Sequence, residues 1–134
     1  MTLSALQKNW IPQIENELQS TFERMDFDGS EELRTMLTYH LGWADDKGGG
    51  KRLRPLFSLL FTGALGTDPE KVMPGALAIE LLHNFTLIHD DIEDNDDTRY
   101  SQMTLHRRHG VPIALNAGDL LLGELGLLQC DPQS

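Results

Sequence analysis

The sequence predicts an all-α fold on three grounds. Apolar residues recur once per helical turn at Leu6, Trp10, Ile14, Leu18 and Phe22, the stripe of an amphipathic helix. Prolines and capping residues stand where helices begin, at Pro55, Asp68-Pro69 and Pro112. No segment alternates apolar and polar residues as a half-buried strand would, and there is no internal repeat or low-complexity tract.

The first helix runs from Leu3 to about Glu23, and residues 26–30 (Asp-Phe-Asp-Gly-Ser) form a turn. Either Ser30 or Asp28 caps a second helix reaching about Leu41, since both side chains accept a hydrogen bond from a first-turn N–H. Residues 42–50 are a loop ending in three glycines. Pro55 suits a first helical position, where a missing N–H is harmless. It opens a helix bearing Leu56, Leu59, Leu60 and Phe61 that stops near Gly66. Asp68 caps a long helix from about Lys71 to Asp94, with Pro74 tolerated in the first turn. A loop from Asn95 to Met103 and a short turn around His106 follow. The last helix is opened by Pro112, passes Leu121 and Leu128, and ends before Asp131-Pro132.

At 134 residues and 40% hydrophobic content the chain is at most one domain. Its longest apolar stretches are interrupted by Glu80, His83 and Asn84 or by Glu124, so none spans a bilayer. The start, Met1-Thr2-Leu3-Ser4, lacks the basic and apolar regions of a signal peptide. A single cysteine, Cys130, excludes an internal disulfide and fits a reducing compartment, so a cytoplasmic location is expected. The net charge of −10 argues against a nucleic-acid partner, and it repels phosphorylated ligands unless a cation mediates. The few basic residues nevertheless cluster at Lys51-Arg52-Leu53-Arg54 and between Arg99 and Arg108, on either side of an acidic run.

That run, Asp90-Asp91-Ile92-Glu93-Asp94-Asn95-Asp96-Asp97, closes the long apolar helix. Asp90 and Asp94 are four apart and share a face, with Asp91 beside them. Folding alone gives no reason for this, because like charges at that spacing and acids at a helix C-terminus are both unfavourable. A divalent cation reverses both signs, and clustered hard oxygens are what Mg²⁺ selects. An EF-hand is excluded, since neither acidic stretch puts glycine sixth and glutamate twelfth in a loop. His83 lies seven residues before Asp90, two turns back on the same face, and is expected to look into a cavity. Gly48-Gly49-Gly50-Lys51-Arg52-Leu53-Arg54-Pro55 delivers three cations to a helix start, with glycines that let backbone approach an anion. It is not a Walker A loop, because Asp45 and Arg52 stand where a glycine and a Ser or Thr are needed. In Asn116-Ala117-Gly118-Asp119, Gly118 suggests close helix packing and Asp119 an acceptor for a basic neighbour.

Taken in order, Gly49-Gly50-Lys51-Arg52-Leu53-Arg54-Pro55, then Glu80-Leu81-Leu82-His83, then Leu87-Ile88-His89-Asp90-Asp91-Ile92-Glu93-Asp94, then Asn116-Ala117-Gly118-Asp119 resemble the trans-isoprenyl diphosphate synthases, or polyprenyl synthetases. The resemblance implies the N-terminal part of an all-helical bundle around a central apolar cavity. Residues 1–134 would be a partial domain with the first Asp-rich motif present and the second absent. It implies that Asp90, Asp91 and Asp94 hold Mg²⁺ against an allylic diphosphate and are the catalytic residues. Lys51, Arg54 and His83 would bind the isopentenyl diphosphate anion, and Arg99 would contact the allylic diphosphate. Phe85 and Thr86, one turn deeper than Asp90, would form the floor that stops chain growth, giving a short product of the farnesyl or geranylgeranyl class. A homodimer or heteromer is expected for the complete enzyme. The chain departs from the family pattern at Tyr100, Ser101 and Met103, where arginine, glycine and proline are usual. Without the second half of the bundle, the chain alone is expected to be inactive, with apolar faces uncovered near Leu81, Leu87 and Leu120. Two other readings are a short non-catalytic or regulatory subunit of a heteromeric synthase, and a piece of a class I terpene cyclase. The Gly-Gly-Lys-Arg loop speaks against the second.

Overall fold

The computed structural model describes residues 2–25, 27, 29–44 and 50–130, with side chains described as far as Gly123. Asp28 as an alternative cap, Gly48-Gly49, the side chains of Leu128 and Cys130, and Asp131-Pro132 lie outside the described residues.

The described residues form six α-helices: α1 (Leu3–Arg24), α2 (Glu31–His40), α3 (Leu53–Ala64), α4 (Met73–Glu93), α5 (Leu105–His109) and α6 (Val111–Cys130). The Thr2 hydroxyl caps α1 by accepting from Ala5 N–H at 3.2 Å, and the Ser30 hydroxyl caps α2 from Leu33 N–H at 3.2 Å. α2 ends on Gly42, whose φ of 85° is the left-handed value a glycine-terminated helix needs. Gly42 N–H reaches Tyr39 O at 3.2 Å and Trp43 N–H reaches Thr38 O at 3.0 Å, so the last carbonyls are satisfied.

Two helix starts differ from expectation. α3 begins two residues before Pro55, after Arg52 in a left-handed conformation (φ 50°, ψ 38°) with no side-chain cap. Pro55 still lies in the first turn, where its missing N–H leaves no carbonyl unserved. The long helix does not run unbroken from Lys71. A 3₁₀ turn over Pro69–Val72 precedes α4, with Asp68 Oδ1 accepting from Glu70 N–H at 3.0 Å. Pro74 has no N–H to give Glu70 O, so an α-helical hydrogen bond cannot form there and the chain tightens instead.

A third difference lies in the loop after α4, which contains a short antiparallel ladder of β1 (Thr98–Arg99) and β2 (Gln102–Met103). Its tip is Tyr100-Ser101, with φ of 50° and 64°, the two positive values of a type I′ hairpin turn. Tyr-Ser lacks the Asn-Gly signal of such a turn, and two-residue strands are too short to show alternation. The glycine usual at position 101 in the resembled family suits this conformation better than Ser101 does.

α4 lies at the centre, packed along α6 and α3, with α1 crossing α3 and α4 and α2 resting on α6. Ile14 and Leu18 of α1, Met36 and Leu37 of α2, Leu56 and Leu59 of α3, Leu77, Leu81 and Ile88 of α4, and Ala114, Ala117 and Leu121 of α6 form one core. Each large side chain so buried contributes about 1.5–3 kcal/mol. Leu81, expected at an open face, is buried, and Leu87 and Leu120 are half-buried. The exposed apolar side chains include Phe57 and Phe61 of α3, Leu65 at its C-terminal cap, Ile79 and Leu82 of α4, and Leu115 and Leu122 of α6. Among the described residues no helix is long and apolar enough to cross a membrane.

Gly118 lets α6 approach α4. A Cβ there would stand 2.6 Å from Cδ2 and 2.7 Å from Nε2 of His89, a ring tilted against Phe85 with centroids 4.5 Å apart. Gly118→Ala would raise helix propensity by about 1 kcal/mol, but overpacking of this kind costs about 1–3 kcal/mol. The clash should win, lowering stability by about 1 kcal/mol in a urea titration. An unchanged or higher midpoint would mean that His89 gives way freely.

Candidate functional site

The loop before α3, the end of α2, the middle of α4 and the hairpin tip enclose a cavity of about 450 Å³. Lys51, Arg54 and His83, the three residues expected to share an anion site, all line it, together with His40, Leu87 and Tyr100. Arg54 Nη1 lies 3.1 Å from His83 Nε2. An arginine can only donate, so His83 accepts at Nε2 and its proton sits on Nδ1. Burial and then the Arg54 charge hold the His83 pKa below its usual range, so the ring is neutral at pH 7. Neither Lys51 nor Arg54 forms an ion pair with a described residue, leaving their positive charge for a ligand.

Arg52, expected to be a third cation in that loop, is instead turned inward and 4% exposed. Its Nε donates to Glu15 Oε1, its Nη1 to Glu80 Oε1 at 3.0 Å and its Nη2 to Leu41 O at 2.9 Å. Trp43 Nε1 donates to the other Glu15 oxygen at 3.0 Å, and Asn84 Nδ2 donates to Glu80 Oε1 at 3.2 Å. The available signal was Glu80, a charge within an apolar helix, which needs a buried partner.

The three aspartates of the acidic motif divide between two roles. Asp90 and Asp94 are exposed, and their carboxylates make no hydrogen bond or ion pair with a described residue. Asp91 is 3% exposed and grips Arg99, with Nε–Oδ2 at 2.8 Å and Nη2–Oδ1 at 2.6 Å. Hydrogen bonding to Asp91 raises the Arg99 pKa above its usual value. Asp94 is the C-cap of α4, followed by Asn95 at φ 55°. Asn95 N–H to Ile92 O at 3.2 Å and Asp96 N–H to Asp91 O at 2.9 Å fix this end. Among the described residues no group of three or more His, Cys, Asp or Glu is gathered as a metal site. Mg²⁺ suits what remains, because it takes one or two carboxylates and completes its shell with phosphate oxygens and water. With Asp91 held by Arg99, Asp90 and Asp94 are exposed carboxylates that could hold it.

The hairpin is tied down by the Tyr39 hydroxyl, which donates to Met103 O at 2.7 Å, and by Thr104 Oγ1, which donates to Asp96 O at 2.8 Å. Arg99 thereby meets Asp91, and Tyr100 sits at the cavity while remaining 79% exposed. Thr86 is exposed and donates from its hydroxyl to His83 O at 2.6 Å. Phe85 is half-buried against the core, and neither residue lines the 450 Å³ cavity.

His40 carried no signal in the sequence. It lines this cavity and a water-sized one of about 30 Å³ beside Asp91, Arg99 and Tyr100. Its Nε2 is buried without a described hydrogen-bond partner. Burial pushes its pKa down to about 4, with Asp91 opposing and Arg99 reinforcing the shift.

The polyprenyl synthetase family profile matches residues 30–127. The (2E,6E)-farnesyl diphosphate synthase of Mycobacterium tuberculosis is 41% identical over 107 residues, covering 74% of this chain and 30% of that protein. The geranylgeranyl pyrophosphate synthase of Geoglobus acetivorans is 53% identical over 78 residues, covering 58% of this chain and 24% of that protein. Among solved structures, a polyprenyl synthetase from Streptomyces coelicolor superposes with a TM-score of 0.83 at 32% identity, over 95% of this chain and 38% of that one. The geranylgeranyl pyrophosphate synthetase of Pyrococcus horikoshii does so with a TM-score of 0.80 at 35% identity, over 96% and 38%. The chain thus spans between 24% and 38% of the length of these relatives.

A folded-state pKa of about 4 for His40 means that the unfolded chain binds more protons between that value and 6.5. The contribution is fully present above the unfolded value and is lost as pH falls through this window, at most about 1.4 kcal/mol per pH unit. Urea titrations from pH 7.5 to 4.5 should show wild-type stability falling more steeply than that of His40→Gln. Parallel curves would remove His40 as the cause.

Proposed function

We propose that this chain, which belongs to the polyprenyl synthetase family, serves a prenyltransferase that joins isopentenyl diphosphate to an allylic diphosphate. The product is a short all-trans prenyl diphosphate of the farnesyl or geranylgeranyl class, the class named for the relatives above. The observation that carries this reading is the convergence of Lys51, Arg54 and His83 on one cavity whose wall, α4, ends in the unpaired Asp90 and Asp94. A rise of about 1.5 Å per residue sets Asp90 about 10 Å along the helix from His83, enough for two anions in separate seats.

In this reading Lys51 and Arg54 hold isopentenyl diphosphate, with His83 orienting the Arg54 guanidinium. Arg99, fixed by Asp91, contacts the allylic diphosphate. Asp90 and Asp94 would hold Mg²⁺, which would supply charge to neutralise the departing diphosphate. The allylic C–O bond breaks and its electron pair leaves on diphosphate. The isopentenyl double bond then forms the new C–C bond, and loss of a proton restores a double bond. Leu87 offers an apolar wall that keeps water from the carbocation, and Phe85 and Thr86, one turn before Asp90 on α4, are read as the floor that ends chain growth. Positioning and electrostatics suffice, with no nucleophilic side chain. A cytoplasmic location and a homodimeric or heteromeric whole enzyme complete the proposal. Residues 1–134 act as its first part, and no second Asp-rich motif follows Asp94 in this sequence.

The purified chain with Mg²⁺ should form no prenyl diphosphate. When the remainder of the bundle is supplied, turnover should appear, and Asp90→Ala should lower kcat by about two orders of magnitude or more, the scale of lost transition-state charge stabilisation. Unchanged turnover in Asp90→Ala would make the chain a non-catalytic subunit instead. In the same active assembly, Phe85→Ala should lengthen the product, read by chromatography of the dephosphorylated alcohols. An unchanged product distribution would return Phe85 to the ordinary core.

A further inference from the structure

We propose that Arg52 is a positioning residue for the anion cavity: its buried guanidinium holds the backbone turn that presents Lys51 and Arg54 to the same ligand. The proposal rests on the reading of that cavity as a diphosphate site. In sequence Arg52 sits between two exposed cations, yet it is itself 4% exposed. Its charge faces two carboxylates, Glu15 and Glu80, so it has no net charge to offer a ligand. What it has is geometry. Its three nitrogens donate to three separate segments: Nε to Glu15 on α1, Nη1 to Glu80 on α4 at 3.0 Å, and Nη2 to Leu41 O at the end of α2 at 2.9 Å.

The backbone explains why such a clamp is needed. Arg52 is in the left-handed region, which a side chain bearing a Cβ adopts only when its surroundings dictate it. This residue also replaces the cap of α3, accepting Leu56 N–H at its carbonyl at 3.1 Å with no side-chain cap to assist. The turn therefore depends on the guanidinium fork. Relaxing it would swing Lys51 and redirect the first turn of α3, which bears Arg54. Lysine cannot substitute, since one ammonium cannot meet three diverging acceptors in a plane. Glu15 is held in turn by Trp43 Nε1 at 3.0 Å, so the clamp reaches the loop between α2 and α3 from both ends.

The test is calorimetric titration of the purified chain with inorganic diphosphate in the absence of Mg²⁺, so that Asp90 and Asp94 take no part. Each variant is measured below its own thermal transition, followed by circular dichroism. Wild type should bind, and Lys51→Ala should bind at least tenfold more weakly. Arg52→Lys should also lose at least tenfold while remaining folded. Glu15→Gln, which loosens one prong and keeps Arg52, should lose about threefold to tenfold, and it stands in if Arg52→Lys fails to fold. A merely structural role would lower the melting temperature and leave the affinity of the folded protein unchanged. Wild-type affinity in folded Arg52→Lys, or in Glu15→Gln where that variant stands in, overturns the proposal alone. No binding by wild type overturns the reading of the cavity, and this proposal with it.

Discussion

α4 buries two carboxylates, Glu80 and Asp91, and the arrangement of the site follows from the need to pair them. They are eleven residues apart, three helical turns, and so lie on one face. A buried carboxylate left without a partner costs about 3–5 kcal/mol, a large share of the stability of a small domain. Each recruits an arginine from a different loop. Arg52 comes from the segment before α3, and Arg99 from the hairpin after α4. Docking those two loops on one helix brings Lys51, Arg54 and Tyr100 around the same cavity, with His40, His83 and Leu87 between them. The Arg52–Glu80 pair is architectural, and the cations that line the cavity, Lys51 and Arg54, flank it in sequence.

This division resolves an electrostatic difficulty. With a net charge of −10, the molecule as a whole repels phosphorylated ligands. Local charge has the opposite sign. Arg52, Arg99 and Arg107 pair with carboxylates, and Arg34 and Arg108 lie over aromatic rings, while Lys51 and Arg54 have no carboxylate partner among the described residues. Further along α4, Asp90 and Asp94 are exposed and pair with no described residue, where a nearby cation would relieve their mutual repulsion.

Much of this was legible in the chain, for identifiable reasons. Helices with strong apolar periodicity were found nearly to the residue, as with α1, and Ser30 acted as the cap its chemistry suggests. The grouping of Lys51, Arg54 and His83 around one cavity was implied by the resemblance to the polyprenyl synthetases. What stayed hidden was set by tertiary contacts. Arg52 looked like its neighbours because nothing local distinguishes a cation that faces solvent from one that pairs with a distant Glu80. Asp91 looked like Asp90 because facing inward is a matter of where Arg99 lands, and that depends on a hairpin too short to leave a pattern. His40 is a single imidazole at a helix end, and its low pKa comes wholly from its surroundings.

The three-turn interval between Glu80 and Asp91 also constrains how the gene can change length. One codon lost or gained between them rotates everything beyond by about 100°, carrying one carboxylate away from its arginine and the bare aspartates to a different side of the bundle. Point substitutions on the exposed flank of this segment leave the angular phase intact. Length variation among descendants of this sequence should therefore fall in the segments before Gly50 and around Gly66, and α4 between Glu80 and Asp91 should keep a fixed count.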